Sequence, residues 1–230
     1  STAQNLNNLA SSSSFPFLFA NLECNNCPLN SSNIKPYIIK EVEGVKVGII
    51  GIVNSQLSEL VLSENLSGSS ATPEVKAIQK WVPEIKSLGA EVIIILTSSG
   101  VPWNREQEYN KFLEEIKLNN IDENSSLNAI QMSHYLNDVD FIVAGGNSKG
   151  YPLPFYNPNS HTYVIQGYGG GTEFSHIKLL IDKETHLFKG YETVVDGRAS
   201  QTLLADDFTS NQKDVKWIKD KRKIAYQKYY

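Results

Sequence analysis

Three short runs constrain this chain more than anything else in it. Val45 to Val53, Glu91 to Leu96 and Asp140 to Ala144 are almost wholly apolar and too short for buried helices. Each predicts a strand buried on both faces, a pattern that belongs to the centre of a sheet. Helical periodicity fills the gaps between them. The resulting alternation of strand, helix, strand, helix, strand predicts parallel crossovers, and hence a mixed sheet with helices outside. In such sheets ligands sit beyond the carboxyl ends of the strands. The third run leads there into Gly145-Gly146-Asn147-Ser148-Lys149.

The remaining elements follow from local patterns. Ala3 to Ala10 predicts a short helix, and Phe15 to Leu22 a buried strand. Pro36 to Val42 and Val45 to Val53 flank Glu43-Gly44, a hairpin signal. A short helix is expected over Gln56 to Ser63, followed by loop from Leu66 to Thr72. Val75, Ile78, Val82 and Ile85 recur at helical steps between an expected Thr72 N-cap and Gly89. Asn104 to Asn119 and Asn128 to Leu136 predict two further helices. Beyond Gly150 the pattern changes to strands without helices: Thr162 to Gln166, Phe174 to Ile181 and Phe188 to Val195, the last two joined by an antiparallel turn at Asp182 to Thr185. Asp214 to Tyr226 predicts a final helix.

Charge is unevenly placed along the 230 residues. Residues 211–230 carry a net charge of +5, whereas the chain as a whole carries -4. A basic segment holding Trp217, Tyr226, Tyr229 and Tyr230 suits docking onto a protein partner. The acidic body argues against a dedicated nucleic-acid protein. No apolar run is long enough to span a membrane. Cys24 and Cys27 are the only cysteines; without a second ligand pair they read as a local disulfide or as two reduced loop thiols. Asn-x-Ser sequons at Asn30, Asn65 and Asn124 permit glycosylation.

Six segments occur in the order and spacing of one family: Phe15 to Asn21, Lys35 to Val42, Gly44 to Gly51, Gly89 to Leu96, Val139 to Gly146 and Tyr163 to Gly167. On these residues the chain resembles the metallophosphoesterase domain of the 5′-nucleotidase and UDP-sugar hydrolase family, within the calcineurin-like phosphoesterases. The resemblance implies an α/β (mixed α+β) sandwich of mixed β-sheets flanked by helices, with the first strands lying ahead of Ser1. It also implies a partial phosphoesterase-like domain over residues 1–205 and a basic tail over 206–230. The family hydrolyses phosphate esters with two divalent metals, which polarise the phosphate and supply a bridging hydroxide. Three of its ligand motifs are expected ahead of Ser1. The other two are altered: Ser98 stands at a metal-binding histidine position in Thr97-Ser98-Ser99-Gly100, and Asn147 at another in Gly145-Gly146-Asn147-Ser148-Lys149.

Serine is a poor neutral ligand, and the Lys149 ammonium would repel a divalent ion. These residues therefore imply a catalytically degenerate relative, without metal cofactor, acting as a structural or protein-binding component of a larger assembly through its tail or an exposed sheet edge. Two alternatives stand beside it: a phosphohydrolase completed by a separate amino-terminal segment, and a non-catalytic nucleotide or phosphate binder using Lys149. Secretion or a periplasmic location is expected from the family, the cysteine pair and the sequons. Ser98 and Ser148 lack a Gly-x-Ser-x-Gly elbow, and Gly167 to Thr172 leads into a strand rather than a P-loop helix. His134, His161, His176 and His186 have no metal-cluster spacing and are expected to be structural or surface residues.

Overall fold

The computed structural model describes residues 2–204 and 209–229. The boundary expected between residues 205 and 206 lies outside the described residues, as do Ser1 and Tyr230. The chain opens with helix α1 (Ala3–Ser12), whose Thr2 side chain accepts from the Asn5 amide. The single strand expected over Phe15 to Leu22 is instead two pieces, β1 (Phe17–Leu18) and β2 (Leu22–Cys24). The break lies at Asn21. This side chain is 2% exposed and bonds across the chain, to Val53 and Thr72. Cys24 and Cys27 form a disulfide.

After β3 (Ile34–Lys35) come β4 (Tyr37–Val42) and β5 (Val45–Ile52), paired antiparallel. Glu43 and Gly44 both take positive φ, 52° and 85°, as a tight two-residue hairpin turn demands. Two short helices, α2 (Leu57–Leu60) and α3 (Ser63–Leu66), replace the one expected after β5. Part of the expected loop pairs with β2 as β6 (Ser69–Ala71). Helix α4 (Glu74–Ser87) is capped by Pro73 rather than Thr72, whose hydroxyl turns to the Asn21 carbonyl. Then follow β7 (Val92–Thr97), α5 (Arg105–Lys117), α6 (Ala129–His134) and β8 (Phe141–Ala144). Strands β9 (Phe155–Asn157) and β10 (Thr162–Gln166) complete the main sheet. Its order is β4-β5-β7-β8-β10-β9. The four inner strands are parallel and the two edge pairs antiparallel. The chain continues through β11 (Glu173–His176), β12 (Leu179–Ile181), β13 (Phe188–Tyr191), β14 (Ser200–Leu203) and helix α7 (Gln212–Tyr229).

Strand alternation divides the sheet into two unlike faces. Ile50, Ile52, Ile93, Ile95, Ile142 and Val164 point to one side and pack against Val75, Ile78 and Ile85 of α4, Phe112 of α5 and Ile130 of α6. That side is the main core. On the other side, among the described residues, cover is partial: Phe141, Ile165 and Ile94 pack with Leu179, Phe188 and Tyr191 of the β12–β13 hairpin. Val143 and Leu96 stay 40% and 41% exposed. The expectation that β8 is buried on both faces is therefore corrected. An open hollow of about 690 Å³ runs along the uncovered part of β5, β7 and β8, and another of about 910 Å³ lies between β4, β5 and β7 and the β12 end of the hairpin.

Asp140 ties β8 to β7: its carboxylate accepts from the Ile93 amide at 2.8 Å, and its own amide donates to the Ile93 carbonyl. Burial raises its carboxyl above the usual carboxylate range, only partly offset by the Ile93 hydrogen bond. A carboxyl raised in the folded state binds protons that the unfolded chain has released. Its contribution thus falls as pH rises from the ordinary carboxylate value through the raised one. Asp140→Asn keeps an acceptor for Ile93 and removes the charge. Its unfolding free energy from urea titration should match that of the wild type within about 1 kcal/mol at low pH and gain on it as the pH rises to neutral. A variant that instead loses ground with rising pH would show that the charge stabilises the strand pair.

Candidate functional site

The carboxyl ends of β5, β7, β8 and β10 converge on one rim of the sheet. Asn54 follows β5, Ser98 and Ser99 follow β7, Asn147 and Lys149 follow β8, and Gln166 ends β10. The Asn54 amide donates to the Ser98 hydroxyl at 2.9 Å, and the Ser98 amide to the Ile52 carbonyl. Gly145 donates to the Thr97 carbonyl. The Asn147 side chain lies over Gly100 and donates through Nδ2 to the Val101 carbonyl at 2.8 Å. Gln166 holds the same loop from below, accepting from the Val101 amide at 2.8 Å.

The three expected site residues share this rim without converging on one point. Ser98 borders the open hollow of the uncovered face. Asn147 borders a separate polar cavity of about 310 Å³. Lys149 lines neither. Its Nζ donates to the Trp103 carbonyl at 2.9 Å and lies 5.5 and 5.0 Å from the ring centroids of Trp103 and Tyr151. Its charge is thus held against a backbone oxygen and two ring faces.

The histidines are held elsewhere. His134 meets the Tyr109 hydroxyl, and burial lowers its pKa. His161 meets the Tyr156 hydroxyl, and His186 pairs with Glu91 at the far end of the sheet. Among the described residues, no three His, Cys, Asp or Glu side chains group as a metal-ligand set. The residues at this rim fit a divalent metal poorly: the Ser98 oxygen is engaged by a backbone donor, Asn147 turns its nitrogen to Val101 and leaves one neutral amide oxygen, and a hydroxyl with a single amide oxygen stands where the resemblance expects two imidazoles.

Sequence reasoning missed Glu74, Asn54, Asn128 and Gln131. Glu74 is fully buried; its Oε1 accepts from the Ser55 amide at 2.8 Å and the Ser99 hydroxyl at 3.3 Å, while Oε2 has no partner among the described residues. Asn128 and Gln131 form a capping box on α6. That pair could have been found from its Asn-x-x-Gln spacing. Nothing local marks Asn54 or Glu74.

A mixed sheet with helices over one face, a second strand layer over part of the other and loops gathered at the strand ends is the architecture of the calcineurin-like phosphoesterases. Solved structures of that fold superpose on the chain, 5′-nucleotidases among them. The calcineurin-like phosphoesterase YfkN of Bacillus subtilis superposes with a TM-score of 0.69 over 97% of this chain and 66% of its own, at 19% identity. A 5′-nucleotidase precursor of Thermus thermophilus gives 0.67 over 94% of this chain and 39% of its own, at 17% identity. No protein-family profile matches. Among curated proteins, the cell wall protein Lmo0130 of Listeria monocytogenes is 30% identical over 158 residues, 65% of this chain. Endonuclease YhcR of Bacillus subtilis is 31% identical over 86 residues. The chain spans 18% and 7% of these two relatives.

Proposed function

We propose that this chain keeps a phosphoesterase fold without its hydrolytic chemistry and serves as a structural or protein-binding component of a larger assembly. One observation carries the reading. At the two positions where the family resemblance expects metal-binding histidines stand Ser98 and Asn147, each engaged with a neighbouring loop. A nucleophilic hydroxide at neutral pH needs a Lewis acid to lower the pKa of water, and a bonded hydroxyl with one neutral amide oxygen is a poor seat for it. Docking would use α7, proposed as an element separate from the phosphoesterase-like body. Its Trp217, Ile218 and Ile224 are 62%, 45% and 59% exposed among lysines and an arginine, a mix of anchors and charge that suits an acidic protein surface. The disulfide and the kinship with a cell wall protein favour an extracellular setting. No described helix is long and apolar enough to cross a membrane.

The test is calorimetric titration with manganese and zinc, with hydrolysis of p-nitrophenyl phosphate followed in parallel. The expected result is no stoichiometric binding at the strand-end rim and no turnover, both in the wild type and in the Ser98→His/Asn147→His double variant. Metal-dependent turnover in either would overturn the reading.

The uncovered sheet face favours a second reading, in which another segment completes the domain. Val143 and Leu96 are apolar, regularly spaced and open, and a sheet face of this kind is normally covered. Under this reading hydrolysis appears only when a polypeptide supplying the remaining metal ligands is added or fused, and that polypeptide buries Leu96 and Val143.

A further inference from the structure

Beside Asn147 lies the cavity of about 310 Å³, which none of the readings above uses. Its volume is at the lower end for small-molecule sites. Its walls come from the loops after β5, β7 and β8 and from the start of α6, and among the described residues no charged side chain lines it. Asn54, Gln56, Ser99, Asn128, Gln131 and Asn147 supply its polar character.

Each amide has two halves, and here the protein uses one of them. Asn54 Oδ1 accepts from the Gln56 amide at 2.8 Å. Asn128 Oδ1 accepts from the amides of Ile130 and Gln131, both at 3.1 Å, and Gln131 Oε1 from the Asn128 amide at 3.1 Å. The NH2 groups of Asn54, Asn128 and Gln131 therefore have no acceptor among the described residues. Asn147 is reversed: its nitrogen is used by Val101, and its oxygen is left. The cavity thus offers several neutral donors and one neutral acceptor, complementary to groups that both accept and donate. Hydroxyls do both.

Two further observations narrow the ligand. Glu74 sits one hydrogen bond behind Ser99, fully buried, with Oε2 lacking a partner among the described residues. A carboxyl in that position opposes an anion and accommodates a donor; the lining holds no cation among the described residues, and the Lys149 ammonium outside it is held against the Trp103 carbonyl, so a phosphate or carboxylate within the cavity has nothing there to neutralise it. Trp103 follows Pro102, which lines the cavity, and is 63% exposed, with its carbonyl held by Lys149. Trp103 itself lies outside the lining; a ligand that extends past Pro102 would meet this exposed indole, an apolar platform on which the C–H face of a pyranose stacks. We propose that this cavity binds a neutral saccharide, with the amides on its hydroxyls and Trp103 against its ring.

The experiment titrates the intact 230-residue chain with chitotriose and with cellotriose, following the side-chain amide signals of Asn54, Asn128 and Gln131 by NMR. Saturable shifts at those signals are expected with at least one trisaccharide. Trp103→Ala should weaken that binding by about fivefold to tenfold, the cost of one lost stacking contact. Asn147→Ala should also weaken it, with the backbone spectrum of both variants otherwise preserved. Absence of saturable shifts with both sugars would overturn the proposal, as would binding indifferent to both substitutions. Displacement of the sugar by inorganic phosphate or by AMP would overturn it too, by showing that the cavity selects oxyanions.

Discussion

Asn21→Ala should lower the stability of the fold by roughly 3 to 5 kcal/mol, the largest loss expected from any single side chain outside the apolar core. The residue is 2% exposed. Its Nδ2 donates to the carbonyls of Val53 and Thr72 at 2.8 and 2.9 Å, and its Oδ1 accepts from the Val53 amide at 2.9 Å. One side chain thereby joins the first strands, the end of β5 and the entry to α4, segments 32 and 51 residues away. Alanine leaves a buried N–H and two buried carbonyls to find other partners. Each costs about 1 to 3 kcal/mol when none is found, reduced where water can enter. Thermal unfolding should fall by on the order of 10 °C, and exchange of the Val53 amide should accelerate most. Asn21→Asp keeps one acceptor but sets a buried carboxylate oxygen against the Val53 and Thr72 carbonyls, and should lose at least as much at neutral pH. A loss below about 1 kcal/mol for the alanine variant would mean that the Val53 and Thr72 loops hold together without this residue.

The same residue shows where reading the sequence succeeds and where it stops. Strands β5, β7 and β8 are legible because their side chains are selected for packing on a continuous sheet, so the apolar run is itself the signal. The hairpin at Glu43-Gly44 is legible because positive φ demands particular residues. Phe15 to Leu22 misleads because its composition is that of a strand, while the break at Asn21 is imposed by hydrogen bonds to residues far along the chain. Strand β9 is short, carries Pro154 before it and Pro158 after it, and is fixed only by its pairing with β10. The parallel pairing of β10 with β8 is equally hidden, because no helix separates them to announce a crossover.

At the rim, Ser98 and Asn147 are locatable through the family resemblance. Their partners, the Asn54 amide and the Val101 carbonyl, lie 44 and 46 residues away. Residue type alone therefore identifies which metal ligands are replaced, whereas what the replacements now hold depends on tertiary structure.

That distinction gives the second large effect its meaning. Gly146→Ala should destabilise the fold by roughly 2 to 4 kcal/mol, although the substitution adds one methyl group on a loop. Gly146 has φ +99°, a conformation that L side chains rarely adopt, and a Cβ built there would lie 2.3 Å from the Ser98 carbonyl oxygen. That oxygen belongs to backbone, fixed through the Ser98 amide bond to Ile52, and cannot swing aside as a flexible side chain could. Relief requires the β7 and β8 loops to separate. Separation would carry Asn147 away from Val101 and open the wall of the amide-lined cavity. The variant should therefore lose saccharide binding even under conditions where it remains folded, and its Val101 and Asn147 signals should shift together. Asn147→Ala removes one side chain and leaves the turn in place, so it should be far less destabilising while still weakening the sugar. If the two variants proved equally stable, the close crossing of these loops would not be what shapes the rim.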